Sequence, residues 1–179
     1  AAVGSLKGPK HGGANRQVLA QFSLIKQTVR DWKDDDAVAD CVGRILRREL
    51  GDGSGLIYGM GHAVYTLSDP RTVILRQSAR TLAAQRGMLD ELELMEAVER
   101  VTPRVFAEVT GHEKVMCANV DMYSGLIYQM LDIPPDLFTP LFAVARITGW
   151  CAHRMEEVLT GGRLYRPAYK SLTRHREYI

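Results

Sequence analysis

Gly59-Met60-Gly61-His62-Ala63-Val64-Tyr65-Thr66-Leu67-Ser68-Asp69-Pro70-Arg71 is the stretch that decides how the chain is read. Two glycines before His62 let the backbone adopt conformations closed to other residues and leave room for a ligand against the main chain. The imidazole is then presented from a turn, not from an apolar helix face. Pro70 is well placed as the first residue of a helix, so the free N–H groups of that helix and the Arg71 guanidinium point the same way, and an anion fits there. The same residues also suit a plainer arrangement, a buried histidine beside a loop arginine that pairs with an acid. The stretch alone does not separate the two.

Working outward, apolar periodicity predicts helices on both sides. From Gly13 to about Arg30, Val18, Leu19, Phe22, Ile25 and Val29 recur at three- and four-residue steps. Asp34, Asp35 and Asp36 supply a cap and first-turn acids for a second helix that carries Val38, Val42, Ile45, Leu46 and Leu50. Gly51-Asp52-Gly53-Ser54-Gly55 then opens a loop, and Leu56-Ile57-Tyr58 reads as a short extended segment. A dinucleotide-binding fingerprint needs GxGxxG between a strand and a helix, and neither the spacing nor the preceding element matches. Pro70 starts a third helix to about Gln85, stopped by Gly87. A fourth runs from Leu89 to about Val109, with Pro103 inside it predicting a kink or break. Asp121 to Leu131 and about Asp136 to Leu159 complete six helices, followed by a basic and aromatic tail. With no convincing strand pair, the fold class is all-α.

The composition is that of an ordinary globular protein of 179 residues, and a chain of that length can bury a core. Lys and Arg number 23 against 21 Asp and Glu, a net charge of +2 spread along the chain, which gives no reason to expect nucleic acid. Cys41, Cys117 and Cys151 lack any CxxC or Cys/His metal spacing and are expected as reduced thiols in a cytoplasm, with no metal site. Apolar runs such as Leu137 to Val144 are short and end in charge, so neither a signal peptide nor a membrane span is expected. The chain begins at Ala1 without a methionine and reads as the middle of something longer.

Two further stretches share the character of the first, Gly8-Pro9-Lys10-His11-Gly12-Gly13-Ala14-Asn15 and Asn119-Val120-Asp121-Met122-Tyr123-Ser124-Gly125, and a fourth segment, Phe138 to Trp150, carries Arg146. With them the sequence resembles the citrate synthase family, whose motifs GPxHGGAN, GxGHxVY followed by DPR, and NVDxYSG occur here in the family's order. The resemblance implies a citrate synthase-like helical fold in which residues 1–11 end a large-domain segment, 12–119 form a small helical domain and 120–179 return to the large domain. It implies a Claisen condensation of acetyl-CoA with oxaloacetate and hydrolysis of the thioester, with coenzyme A a substrate and no permanently bound cofactor.

That chemistry needs a base for a weakly acidic methyl, a donor for the enolate oxygen and a cradle for a ketodiacid. Asp121, at a predicted helix start behind Asn119, is the candidate base, although position alone makes it a helix-capping aspartate. His11, just before a helix N-terminus whose dipole disfavours imidazolium, is the candidate donor. His62 suits the ketone. By position within the motifs, Arg71, Arg146 and Arg166 suit the carboxylates, because a planar guanidinium offers two parallel donors. Arg166 resembles the arginine that the family donates into the partner's site, which implies a homodimer. Backbone groups of Leu56, Ile57 and Gly59 are implied to meet the adenine.

The chain departs from the family at Thr66, where a basic residue is usual, and at Lys10, where an apolar one is; Arg44, Arg47 or Arg48 are candidates to supply the missing phosphate contacts. The sequence is under half of a family chain and is expected to be inactive in isolation. Two alternatives stay open: 2-methylcitrate synthase acting on propionyl-CoA, since one methylene is weakly discriminated, and a non-catalytic acyl-CoA-binding helical module.

Overall fold

The computed structural model describes residues 2–6, 13–65, 67–112 and 116–161. Among these the elements are helical: α1 (Ala2–Leu6), α2 (Ala14–Thr28), α3 (Asp35–Leu46), α4 (Pro70–Arg86), α5 (Leu89–Thr110), α6 (Asp121–Met130), a 3-10 turn at Pro135–Leu137, and α7 (Phe138–Thr160). The fold is all-α. The described residues divide into two compact units, Ala1–Ala143 and Val144 onward.

Local signals account for the helix ends. Asp34 accepts from the backbone N–H of Asp36 at 2.9 Å and of Ala37 at 3.3 Å, capping α3 as the acid run predicts. At the other end α3 stops at Leu46 and not at Leu50. Arg48 turns into the left-handed region (φ 65°), and the N–H of Glu49 bonds back to the carbonyl of Arg44 at 2.9 Å. Gly87 (φ 69°) closes α4 in the same hand.

Of the kink or break expected at Pro103, the break does not occur: the helix is continuous from Leu89 to Thr110. A proline deletes one helical hydrogen bond, but Leu92, Leu94, Val98, Val101 and Val105 are buried along the same helix. Each such side chain contributes about 1.5–3 kcal/mol, so their combined burial outweighs one lost bond. Helix α1 was not expected, and five residues carry too little periodicity to show it.

In the first unit α3 packs on α5, while α6 lies against both α2 and α4. Val18, Phe22 and Ile25 of α2, Val38, Val42 and Ile45 of α3, and Met122, Tyr123 and Leu126 of α6 share one core. Ion pairs join the helices at the surface: Arg100 grips Asp35 through Nε at 2.8 Å and Nη2 at 2.6 Å, and Arg76 reaches Glu99 at 3.4 Å. Exposed pairs are worth about 0–1 kcal/mol each, so they orient helices that the core already holds. The ring of Phe138 is buried beside Tyr128, centroids 4.9 Å apart.

In the second unit, the part of α7 from Val144 is exposed along most of its length, with Arg154 paired to Glu157 at 2.9 Å. No described helix is long and apolar enough to cross a membrane.

Candidate active site

The histidine stretch is held from two directions. From α2, the buried Gln21 uses both ends of its amide: Nε2 donates to the carbonyl of Leu56 at 2.9 Å and Oε1 accepts from the N–H of Tyr58 at 3.0 Å. From the segment before α6, Met60 and Ala118 form an isolated antiparallel bridge, with Gly61 N–H on the carbonyl of Cys117 and Asn119 N–H on that of Gly59, both 2.8 Å. Gly59 has φ 86°, and a Cβ there would lie 2.9 Å from Met122 Cα, so only glycine lets the loop approach α6 this closely.

His62 follows, half-buried. Its Nδ1 accepts from the backbone N–H groups of Val64 and Tyr65, each at 3.0 Å, and its ring lies 4.7 Å from that of Tyr65. A nitrogen that accepts two N–H bonds carries no hydrogen, so in the neutral ring the hydrogen is on Nε2. That Nε2 stands 3.3 Å from Nη2 of Arg71. The imidazole and the guanidinium are therefore in direct contact at the mouth of the loop.

Arg71 is fixed by Asp69. The Asp69 carboxylate, with no exposed surface, caps α4 through the Arg71 N–H at 3.0 Å and takes the side chain through Nε at 3.0 Å and Nη2 at 2.7 Å. The hydrogen bond to Arg71 is the main cause that holds the Asp69 carboxyl below its usual range, against the opposing effect of burial, and the same pair raises Arg71. The bland alternative of an arginine paired with an acid is therefore present, and it coexists with the aim at His62.

Asp121 is the first residue of α6. Its N–H is accepted by Asn119 Oδ1 at 3.0 Å, and its charge contributes to raising both Arg71 and Tyr128. His62, Arg71 and Asp121 therefore belong to one neighbourhood. In the same loop, Leu56 is exposed while Ile57 and Gly59 are buried. Their carbonyls are used internally, by Gln21, Met60 N–H and Asn119 N–H. Arg146 lies on α7 in the second unit. His11, Lys10, Thr66 and Arg166 lie outside the described residues. Of the three arginines considered for phosphate, Arg47 is paired with Glu49 at 2.9 Å. A cleft of about 520 Å³ between α3 and α5 does not include His62, and its Arg104 is paired with Glu108 and Asp36.

Sequence reasoning overlooked Gln21 and the role of Asp69. Asp69 had a signal, an aspartate directly before a proline at a helix start. Gln21 had none, because its partners lie on a loop far along the chain.

Fold and site together define an all-α domain in which an imidazole meets a guanidinium that a buried carboxylate holds in place. The family whose model matches, citrate synthase, C-terminal domain, aligns with residues 1–168, and the chain belongs to the citrate synthase family. It is 42% identical to the citrate synthase of Synechocystis sp. over 168 residues, 93% of this chain and 37% of the relative. It is 36% identical to the 2-methylcitrate synthase of Shewanella oneidensis over 93% of this chain and 39% of that one. The crystal structure of citrate synthase from Thermotoga maritima superposes with a TM-score of 0.67 at 31% identity, covering 98% of this chain and 43% of that chain. A citrate synthase from Thermoplasma acidophilum, solved as a ternary complex with carboxymethyl coenzyme A and oxaloacetate, gives 0.67 at 30% identity, covering 97% and 42%. The chain thus spans less than half the length of the relatives it matches.

Proposed function

We propose that this chain is the C-terminal part of an acyltransferase that condenses acetyl-CoA with oxaloacetate and hydrolyses the resulting thioester to citrate and coenzyme A. The observation that carries the reading is the juxtaposition of His62 and Arg71, Nε2 and Nη2 3.3 Å apart, with the guanidinium held by the buried Asp69 carboxylate. Oxaloacetate offers a ketone oxygen to His62 and a carboxylate to Arg71, and the reading assigns Arg146 and Arg166 to the rest of its charge. Polarising the ketone makes its carbon electrophilic. Asp121 takes a proton from the acetyl methyl, His11 donates to the enolate oxygen that forms, and the methyl carbon adds to the ketone carbon. Water then cleaves the thioester, releasing coenzyme A, whose adenine rests on the 56–59 loop. The small-domain span 12–119, a homodimer in which Arg166 reaches the neighbouring site, and a cytoplasmic location belong to the same reading.

Thiol release from acetyl-CoA with oxaloacetate tests it in the full-length protein. Asp121→Ala is expected to abolish release; activity within a few-fold of the parent would instead favour a non-catalytic acyl-CoA-binding module. A second reading, 2-methylcitrate synthesis from propionyl-CoA, is favoured by the relative from Shewanella oneidensis. Higher kcat/KM with propionyl-CoA than with acetyl-CoA would select it. Mixing Arg166→Ala with Asp121→Ala subunits is expected to restore part of the activity in hybrid dimers.

A further inference from the structure

Asn119 is half-buried between the two halves of the site and uses every polar group it has. Its side-chain Nδ2 donates to the carbonyl of Gly61 at 2.9 Å, while Oδ1 accepts from the N–H of Asp121 at 3.0 Å. Its backbone N–H donates to Gly59 at 2.8 Å, and its carbonyl accepts from Met122 at 3.1 Å. The partners assign the amide unambiguously, since a carbonyl must be met by an N–H and an N–H by the amide oxygen. Helix α6 has no side-chain cap from Val120, the residue directly before it, so Asn119 covers one of the free N–H groups at its start.

We propose that Asn119 is a positioning residue that ties the His62 loop to the first turn of α6, so that the imidazole and the Asp121 carboxylate keep one fixed separation. The inference rests on the condensation reading given above. A base and a ketone-polarising donor act on two carbons that must meet, so a displacement of either group costs rate even when both substrates bind. The side chain of Asn119 reaches both supports at once: Gly61 directly precedes His62, and the Asp121 N–H belongs to the base itself. Neither bond touches a substrate.

Two variants separate this role from a merely structural one. Asn119→Ala removes both side-chain bonds. Asn119→Asp keeps an acceptor for the Asp121 N–H but loses the donor to Gly61 and sets a carboxylate oxygen against its carbonyl. Amide hydrogen exchange in the full-length protein is expected to quicken at Asp121, Val64 and Tyr65 in Asn119→Ala, and at Val64 and Tyr65 alone in Asn119→Asp. In both, kcat is expected to fall by about 100-fold while the KM for oxaloacetate stays within about threefold. Unchanged exchange at Val64 and Tyr65 in Asn119→Asp, or a kcat within about threefold of the parent in either variant, overturns the proposal. If Asn119→Ala does not fold, Asn119→Asp, which retains the bond at the helix start, decides alone. Exchange is read without substrate, so its outcome stands apart from whether Asp121→Ala abolishes condensation.

Discussion

Asp69 grips Arg71 through three hydrogen bonds, one from its backbone N–H and two from its guanidinium, with the carboxylate wholly buried and the guanidinium half-exposed. The same guanidinium faces His62. One aspartate therefore starts a helix and sets the direction in which an arginine points.

This pairing carries a pH signature. The folded-state pKa of Asp69 lies below its unfolded value of about 3.9, so its stabilisation is fully present above that pH and is lost as the pH falls through the depressed folded value. Asn at this position keeps an acceptor for the helix cap but has no charge to titrate. The difference in Tm between the parent and Asp69→Asn should be largest near neutrality and shrink below about pH 4; a difference flat across this range would show that the charge contributes nothing.

Tyr123 shows the opposite sign. Burial, then its hydrogen bond to Glu99, pushes its phenol well above the usual value. A raised pKa on an acid that is neutral when protonated gives stability that is present below the unfolded pKa of about 10 and is lost as the pH climbs beyond it. Tyr123→Phe should cost about 1–2 kcal/mol at neutral pH by urea denaturation. Its deficit against the parent should narrow in alkali, and a deficit that widened there would contradict the assignment.

The Gln21 clamp is testable by shape alone. Gln21→Leu fills similar space but leaves the Leu56 carbonyl and the Tyr58 N–H without their partner, at a cost of about 1–3 kcal/mol for each group that stays dry. Gln21→Glu keeps the acceptor for Tyr58 and should lose less. Equal urea midpoints for both variants and the parent would mean that the loop holds itself.

Gly59 is predicted to be the least replaceable residue of the loop. Alanine there meets both a left-handed φ of 86° and Met122 Cα at 2.9 Å, and should destabilise by at least about 2 kcal/mol. Gly87→Ala, at φ 69° with nothing within 4 Å, should cost only the backbone strain of about 1 kcal/mol. Comparable losses at the two positions would remove the close approach to α6 as the cause.

The sequence showed most clearly what obeys local rules. Val18, Phe22 and Ile25 announced α2 by their spacing, Pro70 marked the first residue of α4, and Asp121 the start of α6. Pro103 does not interrupt α5 because the penalty of a proline is local, whereas the buried face of the helix acts along its whole length. The end of α3 was missed because Leu46 and Leu50 both fit the helical period, and the turn at Arg48 uses a residue that rarely adopts it. In the site, His62, Arg71 and Asp121 carry recognisable motifs. The contacts of Gln21 and Asn119 join segments distant in sequence, and no spacing rule within one segment reveals them.

The bridge between Met60 and Ala118 closes a long loop that contains α4 and α5. A slip of one residue would break the bonds that pair Gly61 with Cys117 and Asn119 with Gly59 and carry His62 with them. Residues inserted at the tip between α4 and α5, around Gly87 and Met88, are taken up inside the loop and leave that register intact. An insertion between Gly61 and His62 also falls inside the loop but shifts the imidazole itself, so the tolerance of this chain to added length is set by how far along the loop from the bridge the added residue falls.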